Sequence, residues 1–216
     1  MSKISVIIPA YNQEKYIARC LRSITNQSMN RKDYEIIVIN DGSTDNTAKA
    51  IDTFKNDIKL IENKKNVGLP KALNIAIKKS KSKYIVRLDS DDYVNTDFLK
   101  ILYLYIQNNE EVDAAACDYY LVNDNEVVLK RENCETNPIA CGIIFKTKNL
   151  IELGLYDEEF LLHEDKDLRQ RFNKRFKIYR VPIPLYRYRR HQQNITNDLK
   201  KSNIFMSKFK KKYSNR

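Results

Sequence analysis

Four short apolar segments that alternate with helical patterns constrain the fold of this 216-residue chain more than any other feature. Continuous apolar runs rich in β-branched residues are typical of strands buried on both faces. They are "ISVIIPA" (4–10), "YEIIVIN" (34–40), "IKLIEN" (58–63) and "KYIVRL" (83–88). The segments between them have helical spacing, clearest at Leu69, Ala72, Leu73, Ala76 and Ile77. This order predicts an α/β fold with a Rossmann-like, doubly wound and mostly parallel sheet flanked by helices.

The second half of the chain is less regular and predicts a small antiparallel part. "DAAACDYYLV" and "EVVLKR" are typical of two strands joined by the turn "NDN". Helices are expected over 95–108 and 163–173, an apolar segment over 139–146, and short strands near 177–180 and 185–190. With no internal repeat or linker, we expect one domain over 1–198, in halves 1–92 and 93–198, and a C-terminal tail over 199–216.

The positive charge is concentrated near the C-terminus. The net charge is +11, yet residues 1–160 hold 22 Lys+Arg against 24 Asp+Glu, and residues 161–216 hold 17 against 4. A strongly basic segment favours anionic partners such as phospholipid headgroups, nucleic acid or phosphorylated substrates, although it can also be a solvated surface.

Compartment and redox state are suggested by what the sequence lacks. The longest apolar runs are far shorter than a membrane span, and the N-terminus has no signal-peptide pattern. The four cysteines have no C-x-x-C spacing, which argues against zinc or a disulfide framework. We therefore expect a cytoplasmic protein.

Polar clusters follow all four predicted strands. They are "PAYNQE", "NDGSTD", "NKKNVG" and "DSDD", in chain order. In open parallel sheets, ligands bind outside the carboxyl ends of the strands. The four clusters are therefore expected to converge on one ligand-binding crevice.

Several familiar ligand sites are excluded. The four glycines cannot form a dinucleotide fingerprint or a P-loop, and G-x-S-x-G is absent. An EF-hand loop starting at Asp89 would need Gly where Val94 stands and Glu where Lys100 stands. What remains is the D-x-D of Asp89 and Asp91, which could hold a divalent cation and through it a diphosphate, or could form a turn or a helix cap. Asp92 is expected to cap the following helix.

The ordered motifs resemble a known enzyme family. "SVIIPAYNQEKYIARCLRSI", "EIIVINDGSTDNT", "NVGLPKALNIAI", "YIVRLDSDDYV", "HEDKDLRQR" and "YRYRRHQQNIT" resemble family 2 glycosyltransferases with the GT-A fold. The resemblance implies an inverting, metal-dependent transferase that moves a sugar from a nucleotide-diphosphate donor, a UDP-sugar, to an acceptor hydroxyl. It implies surface polysaccharide or glycan assembly, a glycan or lipid-linked acceptor, and Mn²⁺ or Mg²⁺. Residues 1–92 would be the nucleotide-binding half and 93–198 the acceptor half.

Residue roles follow from the same resemblance. Donor-binding residues would be Pro9, Ala10, Tyr11, Asn12, Glu14, Asp41, Gly68, Asp89, Ser90 and Asp91. Tyr11 would stack on the base and Asp41 would accept a hydrogen bond from it, unless they are a surface aromatic and a turn residue. Asp91, Asp89 and His191 would hold the metal, although His191 could also be an ordinary surface histidine.

Asp165 is the candidate catalytic base. If 163–173 is helical, Asp165 lies on one stripe with Leu168 and Phe172, facing the protein. A carboxylate beside a pocket can be tuned toward the range of a general base. The alternative is an acid that complements the helix dipole, as Glu164 would do equally well.

A rival hypothesis is a nonenzymatic nucleotide- or nucleic-acid-binding protein that uses the basic tail. No nucleic-acid recognition motif supports it, so nucleic acid is not expected as a partner. The tail instead suggests peripheral contact with an anionic membrane face. Its basic residues are Lys200, Lys201, Lys208, Lys210, Lys211, Lys212 and Arg216.

Overall fold

A computed structural model describes residues 2–214. Within this range the chain forms nine strands and seven α-helices. The strands are β1 Ile4–Ala10, β2 Tyr34–Asn40, β3 Lys59–Glu62, β4 Tyr84–Arg87, β5 Tyr93–Val94, β6 Ala114–Val122, β7 Val128–Glu132, β8 Ile143–Lys146 and β9 Ile178–Arg189. The helices are α1 Ile17–Thr25, α2 Thr47–Asp52, α3 Leu69–Lys79, α4 Phe98–Gln107, α5 Thr147–Glu152, α6 Glu164–Phe172 and α7 Leu199–Tyr213.

All nine strands belong to one sheet with the order β3-β2-β1-β4-β8-β6-β9-β5, and β7 pairs with β6 at its side. The strands β1 to β4 are parallel to one another, as the alternating sequence predicted. Antiparallel pairing begins where β8 adds to β4 and continues through β6 and β7. The predicted antiparallel part therefore extends the same sheet.

The continuous apolar strands arise because both faces of the sheet are covered. In β1, Val6 and Ile8 pack into one core with α1 and α4, while Ile7 packs into the other with α3 and α6. Alternate residues of a strand point to opposite faces, so burial on both faces favours apolar residues at consecutive positions. The α3 stripe read from the sequence lies in the second core.

The parallel strands bring their carboxyl ends to one edge. The backbone N–H of Asp41 donates to Ala10 O at 2.8 Å, and that of Asn63 donates to Asn40 O at 2.9 Å. Each bond continues the ladder one step past the strands and ties adjacent polar loops together. The convergence predicted for the strand-end clusters is therefore confirmed for the first three strands.

One expectation for the second half was wrong in detail. The strands expected near 177–180 and 185–190 form one long strand, β9, whose register against β6 shifts around Asp118. Pro182 and Pro184 lie near that irregularity, where a missing N–H is tolerated. Only Ile143–Lys146 of the segment 139–146 forms a strand.

The C-terminal segment forms the helix α7, whose residues return to the domain. Lys208 pairs with Glu159, and Lys212 pairs with Asp157 and Asp167. Arg216, which the sequence analysis placed in the basic tail, lies outside the described residues. None of the described helices has the length and apolar character needed to cross a bilayer.

Candidate functional site

A cavity of about 1130 Å³ opens at the carboxyl ends of the parallel strands. Its wall combines the ends of β1 and β4, the loop before α3, the start of α6, the loop after β9 and the start of α7. It includes nine predicted site residues: Pro9, Ala10, Tyr11, Asp41, Gly68, Asp89, Ser90, Asp91 and Asp165. Residues far apart in the sequence thus meet at one place.

Tyr11 follows β1 at the rim of the cavity. Its side chain is 44% exposed, high for a large aromatic residue in a folded chain. An exposed ring next to a cavity offers a flat apolar surface on which a planar ligand can stack. The geometry therefore suits the base-stacking role predicted for Tyr11.

Two predicted donor-binding residues, Asn12 and Glu14, lie outside the cavity lining. The Asn12 side-chain oxygen accepts a hydrogen bond from the Thr44 N–H at 2.9 Å. Glu14 accepts one from the Asn46 N–H at 2.8 Å. Their side chains thus shape the loop after β2, which forms part of the site only through Asp41.

Asp41 is almost fully buried, at 3% exposure, at the end of β2. Its carboxylate accepts hydrogen bonds from the Val67 N–H at 3.0 Å, the Gly68 N–H at 3.1 Å and the Asn63 side chain at 2.7 Å. These contacts fix the loop that leads into α3. An added Cβ at the neighbouring Gly42 would lie 2.5 Å from backbone of that loop, so the close approach depends on glycine.

Three carboxylates, Asp89, Asp91 and Asp92, follow β4 within four positions. Each of them has different hydrogen-bond partners in the structure. Asp89 is held by Arg87, whose Nε lies 2.7 Å from Oδ1 and whose Nη2 lies 3.1 Å from Oδ2. This two-point contact neutralises Asp89 and fixes its orientation. The sequence analysis did not assign a role to Arg87, although it is the only basic residue in "YIVRLDSDD".

Asp91 meets His191, which the sequence predicted as a partner in metal binding. His191 Nε2 lies 3.0 Å from Asp91 Oδ2, and Asn194 Nδ2 lies 3.4 Å from the same oxygen. The His191 N–H donates to Asn194 Oδ1 at 2.6 Å, which holds the loop in place. The loop after β9 thus closes onto the D-x-D, and His191 is buried.

Asp92 was expected to cap the following helix, and this prediction was wrong. Its Oδ2 accepts from the Tyr186 hydroxyl at 2.6 Å and its Oδ1 from the Arg189 N–H at 2.7 Å. Asp97 occupies the N-cap position of α4. Burial, together with the charges of Asp91 and Asp89, raises the pKa of Asp92 well above its usual range. Asp92 therefore joins β9 to the end of β4.

The donor atoms near Asp91 fit a divalent cation. A carboxylate oxygen and an imidazole nitrogen lie side by side, a donor set suited to ions such as Mn²⁺. His191 Nδ1 is buried and has no hydrogen-bond partner within residues 2–214, so the polar contact of this ring is the one between Nε2 and Asp91. Asp89 is less suited as a direct ligand, because both of its oxygens accept from Arg87.

A second group of possible ligand atoms lies deeper. Atoms of Asp89, Asp92 and Cys141 lie within 4.8 Å of one another. Both oxygens of Asp92 already accept hydrogen bonds, and burial raises the pKa of the Cys141 thiol well above its usual range. A protonated thiol is a poor ligand, so the Asp91–His191 side offers the better cation site.

Arg87 also reaches the start of α6. Its Nη1 lies 2.8 Å from Glu164 Oε1, and both side chains are nearly buried. Burial raises the pKa of Glu164 to about 7, against the opposing effect of Arg87. One guanidinium therefore joins the D-x-D strand end to the helix that carries Asp165.

Asp165 lies in the first turn of α6 and contributes to the cavity wall. Its side chain is half-buried, whereas Leu168 and Phe172 further along the helix are in the core. The predicted stripe is therefore confirmed, while the catalytic role stays a prediction.

The sequence of this chain is similar to those of known glycosyltransferases. A family model described as glycosyl transferase family 2 matches residues 5–178. A poly(ribitol-phosphate) beta-glucosyltransferase of Bacillus spizizenii is 41% identical over 112 residues, which cover 50% of this chain and 18% of that protein. An uncharacterized glycosyltransferase of Rickettsia bellii is 32% identical over 177 residues, covering 76% of this chain and 25% of that protein. The chain thus matches less than half of the length of these curated relatives.

Solved structures show the same fold. Staphylococcus aureus TarS 1–349 in complex with UDP-GlcNAc superposes with a TM-score of 0.76 at 24% identity, covering 91% of this chain and 61% of that one. The mannosyltransferase PcManGT from Pyrobaculum calidifontis, in complex with GDP-Man and Mn²⁺, superposes with a TM-score of 0.72 at 19% identity. The match covers 89% of this chain and 58% of that one. The architecture is that of the GT-A glycosyltransferases, and by the extent of the sequence match the chain belongs to glycosyl transferase family 2.

Proposed function

We propose that this chain transfers a sugar from a nucleotide-diphosphate donor, a UDP-sugar, to an acceptor hydroxyl with inversion at the anomeric carbon. The observation that carries the proposal is that one cavity wall contains Tyr11, Asp89, Asp91 and Asp165. A stacking surface, a cation site and a candidate base are the three features that such a reaction needs.

In this proposal, the nucleotide binds at the ends of β1 and β2. Tyr11 stacks on the base, and Asp41 accepts a hydrogen bond from it with the one Oδ2 lone pair not used by the loop before α3. Asp89, oriented by Arg87, contacts the ribose. Pro9, Ala10 and Ser90 shape the surface around these contacts.

The leaving group is stabilised near Asp91 and His191. These two residues would hold Mn²⁺ or Mg²⁺, and the cation supplies charge neutralisation for the departing nucleoside diphosphate. Asn194 positions both through contacts to the Asp91 carboxylate and the His191 N–H. The loop after β9 thereby forms a cover over the cation site.

Asp165 acts as the general base. Its carboxylate accepts the proton of the acceptor hydroxyl while that oxygen attacks the anomeric carbon and the bond to the diphosphate breaks. A single displacement of this kind inverts the anomeric configuration. Glu164 is unsuited to the role, because its side chain is almost fully buried and its carboxylate is held by Arg87.

The acceptor class follows from the relatives. A Bacillus spizizenii relative is named a poly(ribitol-phosphate) beta-glucosyltransferase, and a Staphylococcus aureus relative a poly(ribitol-phosphate) beta-N-acetylglucosaminyltransferase. From these names we extend to this chain a glycan or surface-polysaccharide acceptor, and the motif resemblance adds a lipid-linked acceptor as the alternative. A cytoplasmic reaction at a membrane face suits such an acceptor.

The helix α7 would contribute the membrane contact. Leu199 and Ile204 are 73% and 65% exposed, and Lys200, Lys210 and Lys211 are exposed as well. An apolar residue next to lysines is the combination that binds anionic lipid headgroups. Lys208 and Lys212 contribute less than the sequence suggested, because each is paired with acidic residues of the domain.

The test of the function is hydrolysis of a panel of nucleotide-sugars with Mn²⁺ and with EDTA. A transferase without its acceptor turns over a matching donor slowly, with water in place of the hydroxyl, and only with the cation. A nonenzymatic nucleotide- or nucleic-acid-binding protein, the rival hypothesis, would bind without any turnover. A panel of UDP- and GDP-sugars identifies the donor in the same experiment.

A further inference from the structure

The helix α7 lies outside the region matched by the family model, which ends at residue 178. It nevertheless contacts α6, the helix that carries Asp165, at two places. Two more of its residues, Lys201 and Phe205, are in the cavity wall. A segment that is not part of the family match therefore borders the proposed active site.

The first contact is at the residue that precedes α6. His163 has φ 64°, in the left-handed region, which costs a residue with a side chain about 1–2 kcal/mol. Its Nε2 lies 3.1 Å from Ser202 Oγ on α7. Its carbonyl oxygen accepts from the Lys166 and Asp167 N–H groups at 3.1 and 3.2 Å, which closes the first turn of α6. Ser202 thus helps to hold a strained residue that starts this helix.

The second contact is at Asp167, which is 0% exposed. Its Oδ1 accepts from Lys212 Nζ and from the Tyr213 hydroxyl, each at 2.7 Å. Its Oδ2 accepts from Arg171 Nε at 2.8 Å. A buried carboxylate needs such donors, since losing a partner leaves an uncompensated charge. Two of these three donors come from the last turn of α7.

Asp165 lies between these two contacts, two residues after His163 and two before Asp167. We infer that Ser202, Lys212 and Tyr213 form an α7 bracket that positions Asp165 against the bound substrates; the inference rests on the proposed function. The bracket touches no reacting atom. It acts by fixing the first turn of α6, and a misplacement of about 1 Å at a reacting group lowers the rate about 100-fold.

The bracket predicts an effect on turnover that is separate from donor binding. The residues of β1, β2 and β4 that face the nucleotide make none of these contacts, so UDP affinity should be preserved. Lys212→Met should lower kcat for donor hydrolysis or transfer about 10–100-fold, and Ser202→Ala should lower it in the same direction by less. Lys212→Arg, which keeps a cation at this position, should recover part of the loss.

Lys148→Met is the matched control. It removes the same charge from an exposed position on α5 that is not in the cavity wall, and Lys148 forms no ion pair within residues 2–214. Its kcat should equal that of the wild type. Hydrogen–deuterium exchange of the backbone over 163–168 should increase in Lys212→Met and Ser202→Ala, and not in the control.

The readouts separate the possible outcomes. Kinetics are measured well below the melting temperature of each variant. If Lys212→Met does not fold, the result for Ser202→Ala decides the test. Wild-type kcat and wild-type exchange in the variants would overturn the bracket, as would an equal loss in Lys148→Met. If the wild type itself turns over no nucleotide-sugar, the proposed function fails. The exchange over 163–168 then still decides whether α7 orders the start of α6.

Discussion

Arg87 and Glu164 form a buried ion pair, with Arg87 Nη1 2.8 Å from Glu164 Oε1. The pair joins the last residue of β4 to the first residue of α6, so it links the cation side of the cavity to the base side. Arg87 also holds Asp89 through two hydrogen bonds. Its single charge therefore balances two carboxylates.

Replacing Arg87 by Met should destabilise the fold strongly. The change leaves Glu164 buried without its cation, and breaking such a pair costs about 3–5 kcal/mol. Chemical denaturation measures the free energy of unfolding. The control is Arg175→Met, which removes a guanidinium paired with Glu152 on the surface and should cost less than about 1 kcal/mol. Similar small losses in both variants would show that the buried pair has no special structural role.

Asp91→Asn should weaken UDP binding in Mn²⁺ and hardly change the weaker binding in EDTA. The reason is that Asp91 supplies the carboxylate next to His191 at the candidate cation site. Isothermal titration calorimetry in the two buffers measures the difference. Asp52→Asn, a change at an exposed carboxylate of α2, should match the wild type in both. Undiminished affinity of Asp91→Asn in Mn²⁺ would argue against the metal role.

Membrane contact is better tested by charge substitution than by deleting α7, because deletion would also remove two donors from Asp167. The triple change of Lys200, Lys210 and Lys211 to Ser should reduce co-sedimentation with anionic liposomes at low salt. Each lysine contributes up to about 1 kcal/mol near such a surface. Thermal stability should be unchanged, since these lysines lie on the exposed face. Co-sedimentation equal to that of the wild type would place the membrane contact elsewhere or exclude it.

The acid stability of the second half should depend on Asp118. Hydrogen bonds from Arg180, with a further one from Arg131, lower its pKa from 3.8 to about 2. A depressed folded-state pKa adds stability that is present above pH 3.8 and is lost as the pH falls toward about 2. Asp118→Asn should cost about 1–3 kcal/mol at neutral pH.

The unfolding free energies of the wild type and Asp118→Asn should converge as the pH falls through this window. Urea denaturation at several pH values measures this convergence. A gap that stays constant down to pH 2 would mean that the carboxylate charge contributes nothing to holding β6, β7 and β9 together.

The parallel half of the sheet could be predicted because its signal is local. Each buried strand is an unbroken apolar run, and each polar cluster follows directly in the chain, so the crevice at Ala10, Asp41 and Asp89 follows from strand order. The α6 stripe through Leu168 and Phe172 could be predicted from the sequence for the same reason, since it depends only on helical spacing.

The remaining features depend on contacts between distant residues. Asp92 looked like a helix cap, because nothing in the local sequence shows that Tyr186 and Arg189 reach it from β9. The role of Arg87 required knowing that Glu164 lies next to it. Lys212 appeared to belong to a free basic tail until its pairing with the buried Asp167 was seen. Charge content alone did not separate solvated lysines from structural ones.

Asp165→Asn tests the central claim most directly, because it keeps the size of the side chain and removes its basicity. Turnover and UDP affinity are measured on the same preparation, with Mn²⁺. The proposed mechanism predicts a fall in turnover of about 10²–10⁴-fold, the usual contribution of a positioned general base, with UDP affinity and metal dependence nearly intact. Near wild-type turnover, or a loss of turnover matched by a loss of UDP binding, would contradict the assignment of Asp165 as the base.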